Sequence, residues 1–127
     1  LQVSIGVTPF TKHNSISDIK AVLDLDGNVL YCSRTDIPVT NNQGEVKEML
    51  KLCFIVPFRK SMILEYASWV PTPIELIEDN HFLRLLEHGV RMRAVMIEGG
   101  KISVDTQADL DEVREMMKED ELRLKYS

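Results

Sequence analysis

No stretch of this chain approaches the roughly 20 consecutive apolar residues that a membrane-spanning helix needs. Basic residues nowhere form a block, and 15 Lys plus Arg against 20 Asp plus Glu leave a net charge of −5. That balance argues against nucleic acid and anionic membranes as partners. Only two cysteines occur, Cys32 and Cys53, each inside an apolar run. Two thiols make no disulfide framework, so they read as reduced core residues of a cytoplasmic protein. Glycine is sparse, with 6 residues and no glycine-rich phosphate loop; Gly99-Gly100 reads as a plain turn. Repeats, linkers and low-complexity tracts are absent too. What is present is 127 residues, 44% hydrophobic and 28% charged. These proportions suit one globular domain, residues 1–127, with a real core.

Along the chain, Gln2 to Val7 alternate and stop before Thr8-Pro9, which predicts a short first strand. Ile19 to Leu25 and Val29 to Ser33 flank Asp26-Gly27, the pattern of a hairpin whose two central residues take positive φ. Asp36 to Gly44 reads as a loop and Glu45 to Lys51 as a short helix. Leu52 to Val56 reads as a strand buried on both faces. Lys60 to Trp69 is weakly helical. Thr72, Pro73 and Glu75 make a capping box with proline at the first helical position, opening a helix that Gly89 stops. Met92 to Ile97 reads as a strand and Lys101 to Val104 as a short alternating segment. Thr106 and Asp109 cap a final helix with the apolar stripe Leu110, Val113, Met116 and Met117, followed by a fraying tail. Strands alternating with helices, and a hairpin among them, predict an α/β fold with a mixed sheet and flanking helices.

Several constellations could carry chemistry. Val22-Leu23-Asp24-Leu25-Asp26-Gly27 is similar to the nucleophile motif of haloacid-dehalogenase-type phosphatases, with Asp24 attacking phosphorus and Asp26 as acid and base. Asn28 and the immediate return to strand alternation through Leu30, Tyr31 and Cys32 favour a plain hairpin turn instead. Glu78-x-x-His81 has the spacing of a di-iron ligand pair, but no second copy exists. His88 falls near a helix C-terminus, where it favours the dipole, and His13 sits in a polar loop. Asp105 ends a strand-like segment beside a capped helix start, where open α/β sheets bind ligands; helix capping explains it equally well.

Read end to end, the chain resembles the C-terminal half of the CMP-KDO synthetase (3-deoxy-manno-octulosonate cytidylyltransferase) family. The residues that carry the resemblance begin with Ile19 to Asp24 with Gly27, Leu30 to Arg34 with Ile37-Pro38, and Phe58-Arg59. They continue through Trp69 to Glu75 with Ile77-Glu78, Leu83-Arg84, Gly89, Val104-Asp105-Thr106 and Asp109-Leu110. The resemblance implies the C-terminal half of a nucleotide-diphospho-sugar transferase-like, Rossmann-like fold. It implies an enzyme that moves CMP from CTP to an acidic sugar such as KDO and releases pyrophosphate with Mg²⁺, for surface lipopolysaccharide synthesis. Arg34 would face the sugar acid, where a guanidinium fork suits a carboxylate, and Asp105 would be a metal ligand. No catalytic residue is assigned. Leu52, Val56 and His81-Phe82 replace polar positions that contact the sugar in the family, so the sugar need not be KDO.

The chain opens on Leu1 rather than Met, and the resemblance leaves the CTP-binding half unmatched. The expectation is therefore an excised half, inactive by itself, that pairs as a homodimer through residues near Tyr31 to Pro57. Phe54, Trp69 and the Met92 to Ile97 strand are candidates for uncovered apolar surface. The alternative is a non-catalytic sugar-binding or dimerising module of the same fold; the phosphatase stands third.

Overall fold

The computed structural model describes residues 1–39, 48–98 and 104–126. Among these, the elements run β1 (Val3–Phe10), β2 (Lys20–Leu23), β3 (Val29–Ser33), β4 (Met49–Cys53), α1 (Lys60–Ser68), α2 (Pro73–Glu78), α3 (Phe82–Glu87), β5 (Met92–Met96), α4 (Gln107–Met116) and α5 (Glu121–Tyr126). The strands form one sheet in the order β3-β2-β4-β1-β5. β1 runs antiparallel to β4 and parallel to β5, while β2 is antiparallel to β3 and β4. The expected mixed α/β architecture is the one observed.

Because side chains alternate along a strand, the register sorts the two faces. Val7 lies opposite Leu52, and Ala21 lies opposite both Leu50 and Cys32. With Val3, Ile5 and Met92 they form the apolar face, closed by Met62 of α1 and Leu83 and Leu85 of α3 in one buried cluster. Each buried Val, Leu, Ile or Met side chain of this cluster contributes about 2 kcal/mol through burial. The opposite face carries a polar row that crosses four strands. Ser33 faces Lys20, Lys20 faces Lys51, and Lys51 faces Thr8. All four residues are buried.

The hairpin forms where expected but not with the expected turn. Gly27 has φ 82° whereas Asp26 stays out of the positive region. The Gly27 N–H donates to Asp24 O (3.1 Å) and the Asp24 N–H to Asn28 O (2.8 Å), leaving a three-residue loop with glycine in the left-handed position. The turn then reaches across to β5: the Ala94 N–H donates to Gly27 O (2.9 Å) and Arg93 donates to Asp26 O. A Cβ on Gly27 would stand 3.2 Å from the Arg93 guanidinium. The tip of the β2–β3 hairpin thus covers part of the outer edge of β5.

Five other readings change. Glu45 to Lys51 is not a helix through its described part, since Met49 to Lys51 belong to β4; residues 45–47 lie outside the described residues. Hydrogen-bonding partners on both sides, β1 and β2, override a weak helical preference there. The strand predicted to end at Val56 ends at Cys53, although Ile55 O and Pro57 O still accept from the Gly6 and Ser4 N–H groups. The kink turns Phe54 outward. The first strand does not stop before Thr8-Pro9 but runs on to Phe10. The helix predicted from Thr72 to Gly89 is two helices, broken where Asp79 takes φ 48°. The buried Asn80 makes that break: its Nδ2 donates to Cys32 O (3.4 Å) and its Oδ1 accepts from the Phe82 N–H (3.2 Å). Beyond α4 the tail forms α5 rather than fraying. Gly99-Gly100 and 101–103 lie outside the described residues.

Candidate functional site

Arg34 follows directly on β3, and its guanidinium grips backbone. Nε donates to Glu78 O (2.7 Å), Nη2 to Asp79 O (2.7 Å) and Nη1 to Ile16 O (2.9 Å). Three of its five N–H groups are thereby engaged, so at most two remain for a ligand. Glu78 answers with its carboxylate, which accepts from Tyr31 Oη (2.8 Å), Ser33 Oγ (2.9 Å) and the Arg34 N–H (2.9 Å). Burial pushes the Glu78 carboxyl up, but the bonds from Arg34, Tyr31 and Ser33 outweigh it and hold the group below its ordinary value. Burial, with the bond to Glu78, pushes the Tyr31 phenol up to about 12. The Tyr31-x-Ser33-Arg34 segment and Glu78 are therefore one clamp. It ties the end of β3 to the C-terminus of α2, whose last carbonyls favour a cation.

A second ion cluster sits at the start of α2. Glu75 is buried, and it pairs with Arg84 through two bonds (2.6 and 2.8 Å), with His81 Nδ1 (2.9 Å) and with the Thr72 N–H (2.9 Å). The Arg84 bonds lead in lowering its carboxyl to about 2. Glu78 and His81, noted for their ligand spacing, therefore face different partners. The positions where the family's polar residues are replaced are now explained in part: Leu52 is in the core, Val56 packs against it, and Phe82 stacks on Phe54 at 6.0 Å.

Asp105 is exposed, and its N–H donates to Asp109 Oδ2 (3.2 Å). The Asp109 carboxylate is held by the Thr106 N–H (2.8 Å) and Oγ1 (2.7 Å) as the cap of α4. A cleft of about 400 Å³ opens here between the end of β1 and the start of α4. Phe10, Lys12, Asp18, Lys51, Asp105 and Asp109 are among its lining residues. On its wall Lys51 Nζ pairs with Asp18 Oδ1 at 2.7 Å. Arg34 does not line this cleft. The link between the two places is Lys20, whose Nζ donates to Asp18 O (2.8 Å), Ser15 O (2.6 Å) and Arg34 O, with Asp36 as its counter-ion at 3.6 Å. Burial leads in lowering the Lys20 pKa.

For Mg²⁺, Asp105 offers the right donor, an exposed carboxylate beside a cleft, and Mg²⁺ needs one or two such oxygens plus phosphates and waters. Among the described residues no three His, Cys, Asp or Glu side chains group to hold a metal ion. Among the described residues, Asp105 is a carboxylate that fits such a site as one oxygen donor.

The other sequence candidates resolve into structure. The Asp24 carboxylate accepts from the Asp26 N–H (3.0 Å), the Asn28 N–H (2.7 Å) and Asn28 Nδ2 (3.0 Å), the work of a turn. His13 lies 3.4 Å from Asp36. His88 stacks on Trp69 with ring centroids 3.8 Å apart. Cys32 and Cys53 are buried free thiols, and burial pushes Cys32 up to about 11. Among the described residues no helix is long and apolar enough to cross a membrane. Sequence reasoning missed Asp18, Lys20 and Lys51. The available signal was a lysine flanked by apolar neighbours in each of two strands, Ile19-Lys20-Ala21 and Leu50-Lys51-Leu52, since a lysine there needs a buried partner.

Known proteins carry the same pattern. The model of the cytidylyltransferase family matches residues 2–99. The 3-deoxy-manno-octulosonate cytidylyltransferase of Protochlamydia amoebophila is 36% identical over 123 residues, covering 91% of this chain and 47% of the relative. Its counterpart in Geobacter metallireducens is 35% identical over 109 residues, covering 78% and 43%. A solved structure of CMP:2-keto-3-deoxy-manno-octonic acid synthetase complexed with CTP matches with a TM-score of 0.80 at 26% identity, over 93% of this chain and 49% of that one. The chain spans about half the length of the curated relatives it matches. With most of its length under one family model and its fold shared with a solved synthetase, the chain belongs to the cytidylyltransferase family.

Proposed function

We propose that this chain carries the acidic-sugar side of a cytidylyl transfer, in which CMP moves from CTP to an acidic sugar of the 2-keto-3-deoxy-manno-octonic acid type. The observation that carries the reading is the family match across the segment holding Arg34, together with the clamp that orients this guanidinium. The sugar hydroxyl attacks the α-phosphate of CTP and pyrophosphate leaves. Mg²⁺, when bound, would neutralise charge developing on the phosphates. Asp105 would give it one oxygen. Arg34, fixed by the carbonyls of Glu78, Asp79 and Ile16, would turn its remaining N–H groups to the sugar carboxylate. Pre-orientation of this kind lowers the entropy cost of holding a reactant.

In this reading residues 1–127 form one domain, the C-terminal sugar-binding and pairing part. The CTP-holding loops lie in the half of the relatives that this chain does not match. The product would feed lipopolysaccharide synthesis. Exposed Phe54 and Ile55 lie within the expected pairing region and support a homodimer there.

Calorimetric titration with 2-keto-3-deoxy-manno-octonic acid tests the reading. Saturable binding by the chain, weakened about tenfold in Arg34→Lys, is expected because an ammonium lacks the fork. A chain that binds no acidic sugar would overturn it. The chain alone should release no pyrophosphate from CTP plus sugar acid; measurable turnover would remove the two-half division of labour.

A further inference from the structure

β5 begins at Met92, with Arg91 and Arg93 on either side. Met92 is buried in the apolar cluster, and strand alternation turns its two neighbours the other way. Both arginines line a cleft of about 600 Å³ between the tip of the β2–β3 hairpin and the turn from α3 into β5. Gln2, Asp26, Asn28 and Val90 share that lining. Arg59 fixes the far wall: its Nε donates to Leu1 O (2.6 Å) and its N–H to Gln2 O (2.8 Å). Among the described residues neither Arg91 nor Arg93 pairs with a carboxylate. Arg93 Nη1 donates to Asp26 O, a neutral partner that pins it to the hairpin and leaves other N–H groups of the fork for a ligand. Arg91 is exposed. The Asp24 carboxylate, which Arg91 helps to lower from a distance, is taken up by the Asp26 and Asn28 N–H groups. Two like charges thus stand side by side in a concavity of a chain whose net charge is −5. Such a spot attracts anions.

We infer that this cleft binds a phosphorylated polyol, with Arg91 and Arg93 on the phosphate and with Asp26 and Asn28 accepting from the hydroxyls. A phosphate monoester carries close to two negative charges, which matches two guanidiniums, and each fork suits a pair of phosphate oxygens. A carboxylate would neutralise only one of them. The acceptors are in place for the rest of the ligand. Asn28 Nδ2 donates to Asp24 Oδ2 (3.0 Å), which leaves its Oδ1 as an acceptor. The Asp26 carboxylate accepts no hydrogen bond among the described residues, since Arg93 takes its backbone carbonyl. The volume falls within the range of small-molecule sites. Its place in the fold separates it from the Asp105 cleft. That cleft is lined by Pro9 and Phe10 at the C-terminal end of β1, and this one by Leu1 and Gln2 at the other end. Seven residues of strand put about 23 Å between them. A phosphate here is therefore a second ligand, held by the hairpin tip and the start of β5, and not a reactant beside Asp105.

The test is titration of the isotopically labelled chain with glycerol 3-phosphate and, separately, with inorganic phosphate, followed by amide shifts at Asn28, Val90, Arg91 and Arg93. Saturable shifts at these four amides are expected with both probes, and glycerol 3-phosphate should bind several-fold more tightly because its hydroxyls meet Asp26 and Asn28. Arg91→Gln should weaken both probes about tenfold or more, since a charge-assisted fork is lost. Arg91 is exposed, so this variant spares the core, and unchanged shifts in the rest of the sheet check that it does. Asp26→Ala should act on the two probes in opposite senses. It removes a repelling charge and so tightens inorganic phosphate, while glycerol 3-phosphate loses its several-fold advantage. The Arg93 bond goes to the Asp26 backbone, so the hairpin clasp survives that substitution. No saturable shift at Arg91 and Arg93, or equal affinity in Arg91→Gln, would overturn the site. Equal binding of the two probes by the unsubstituted chain would overturn the polyol as its ligand. Failure of the sugar reading looks different: it is read with octonic acid at Arg34, and it leaves the Arg91 titrations as they stand.

Discussion

Two helices of this chain begin with the same sequence device and end in different places. α2 opens on Thr72 with Glu75 three residues on, and α4 opens on Thr106 with Asp109 three residues on. In both, the acidic side chain takes the N–H of the threonine, at 2.9 and 2.8 Å. Yet Glu75 is 2% exposed and gathers Arg84 and His81, whereas α4 has no buried residue. The device satisfies orphan N–H groups and starts a helix whatever lies outside it. It does not decide what the helix packs against. α2 lies beside α3 and the end of β3, so its cap became the hub of an ion cluster. α4 keeps Leu110 and Val113 half-buried and presents Met116 and Met117 at 58% and 42% exposure.

The sharpest way to break this contrast is Glu75→Ala. It leaves the guanidinium of Arg84, itself 13% exposed, without its carboxylate, and urea unfolding should show a loss of about 3 kcal/mol or more. A loss no larger than that of an exposed cap would erase the distinction. The same group predicts an acid limb. Its folded pKa is about 2 against an ordinary 4.5. Its contribution is therefore present above about pH 4.5 and drains away as pH falls toward 2. Glu75→Gln should show a flatter decline over that window.

Glu78→Ala comes next. It orphans the hydroxyls of Tyr31 and Ser33 and the Arg34 N–H while sparing the cap, and should cost about 2 kcal/mol in the same measurement. Hydrogen exchange should rise together at the end of β3 and the C-terminus of α2; exchange confined to α2 would separate what the clamp is said to join. The smallest effect belongs to Thr106→Ala. Local helicity of α4 should fall with about 1 kcal/mol or less of global stability, and amide shifts in the sheet should not move. A global loss matching Glu75→Ala would show that α4 is packed as tightly as α2.

Much of the site was legible as residues and little of it as an arrangement. Arg34, Glu78, Asp105 and both capping boxes stand out in the sequence. That Arg34 holds the carbonyls of Glu78 and Asp79 does not, since the partners are 44 and 45 residues away. The break at Asp79-Asn80 carried a turn signal in two adjacent turn formers. The apolar spacing of Ile74, Ile77, Leu85 and Leu86 masked it by continuing at helical period on either side.

What the amino-acid order determined alone is whatever neighbours within a few residues decide. It placed the hairpin at Asp26-Gly27, the starts of α2 and α4, the stop at Gly89 and the strands β3 and β5. Local hydrogen bonds and backbone preferences suffice for those. The tertiary structure decided the rest, because the deciding energy comes from contacts distant in sequence. Met49 to Lys51 became strand because β1 and β2 offered partners on both sides. Lys20 and Lys51 could stay buried because Asp36 and Asp18 met them there. The two capped helices parted company because one was given a buried arginine and the other was left facing solvent.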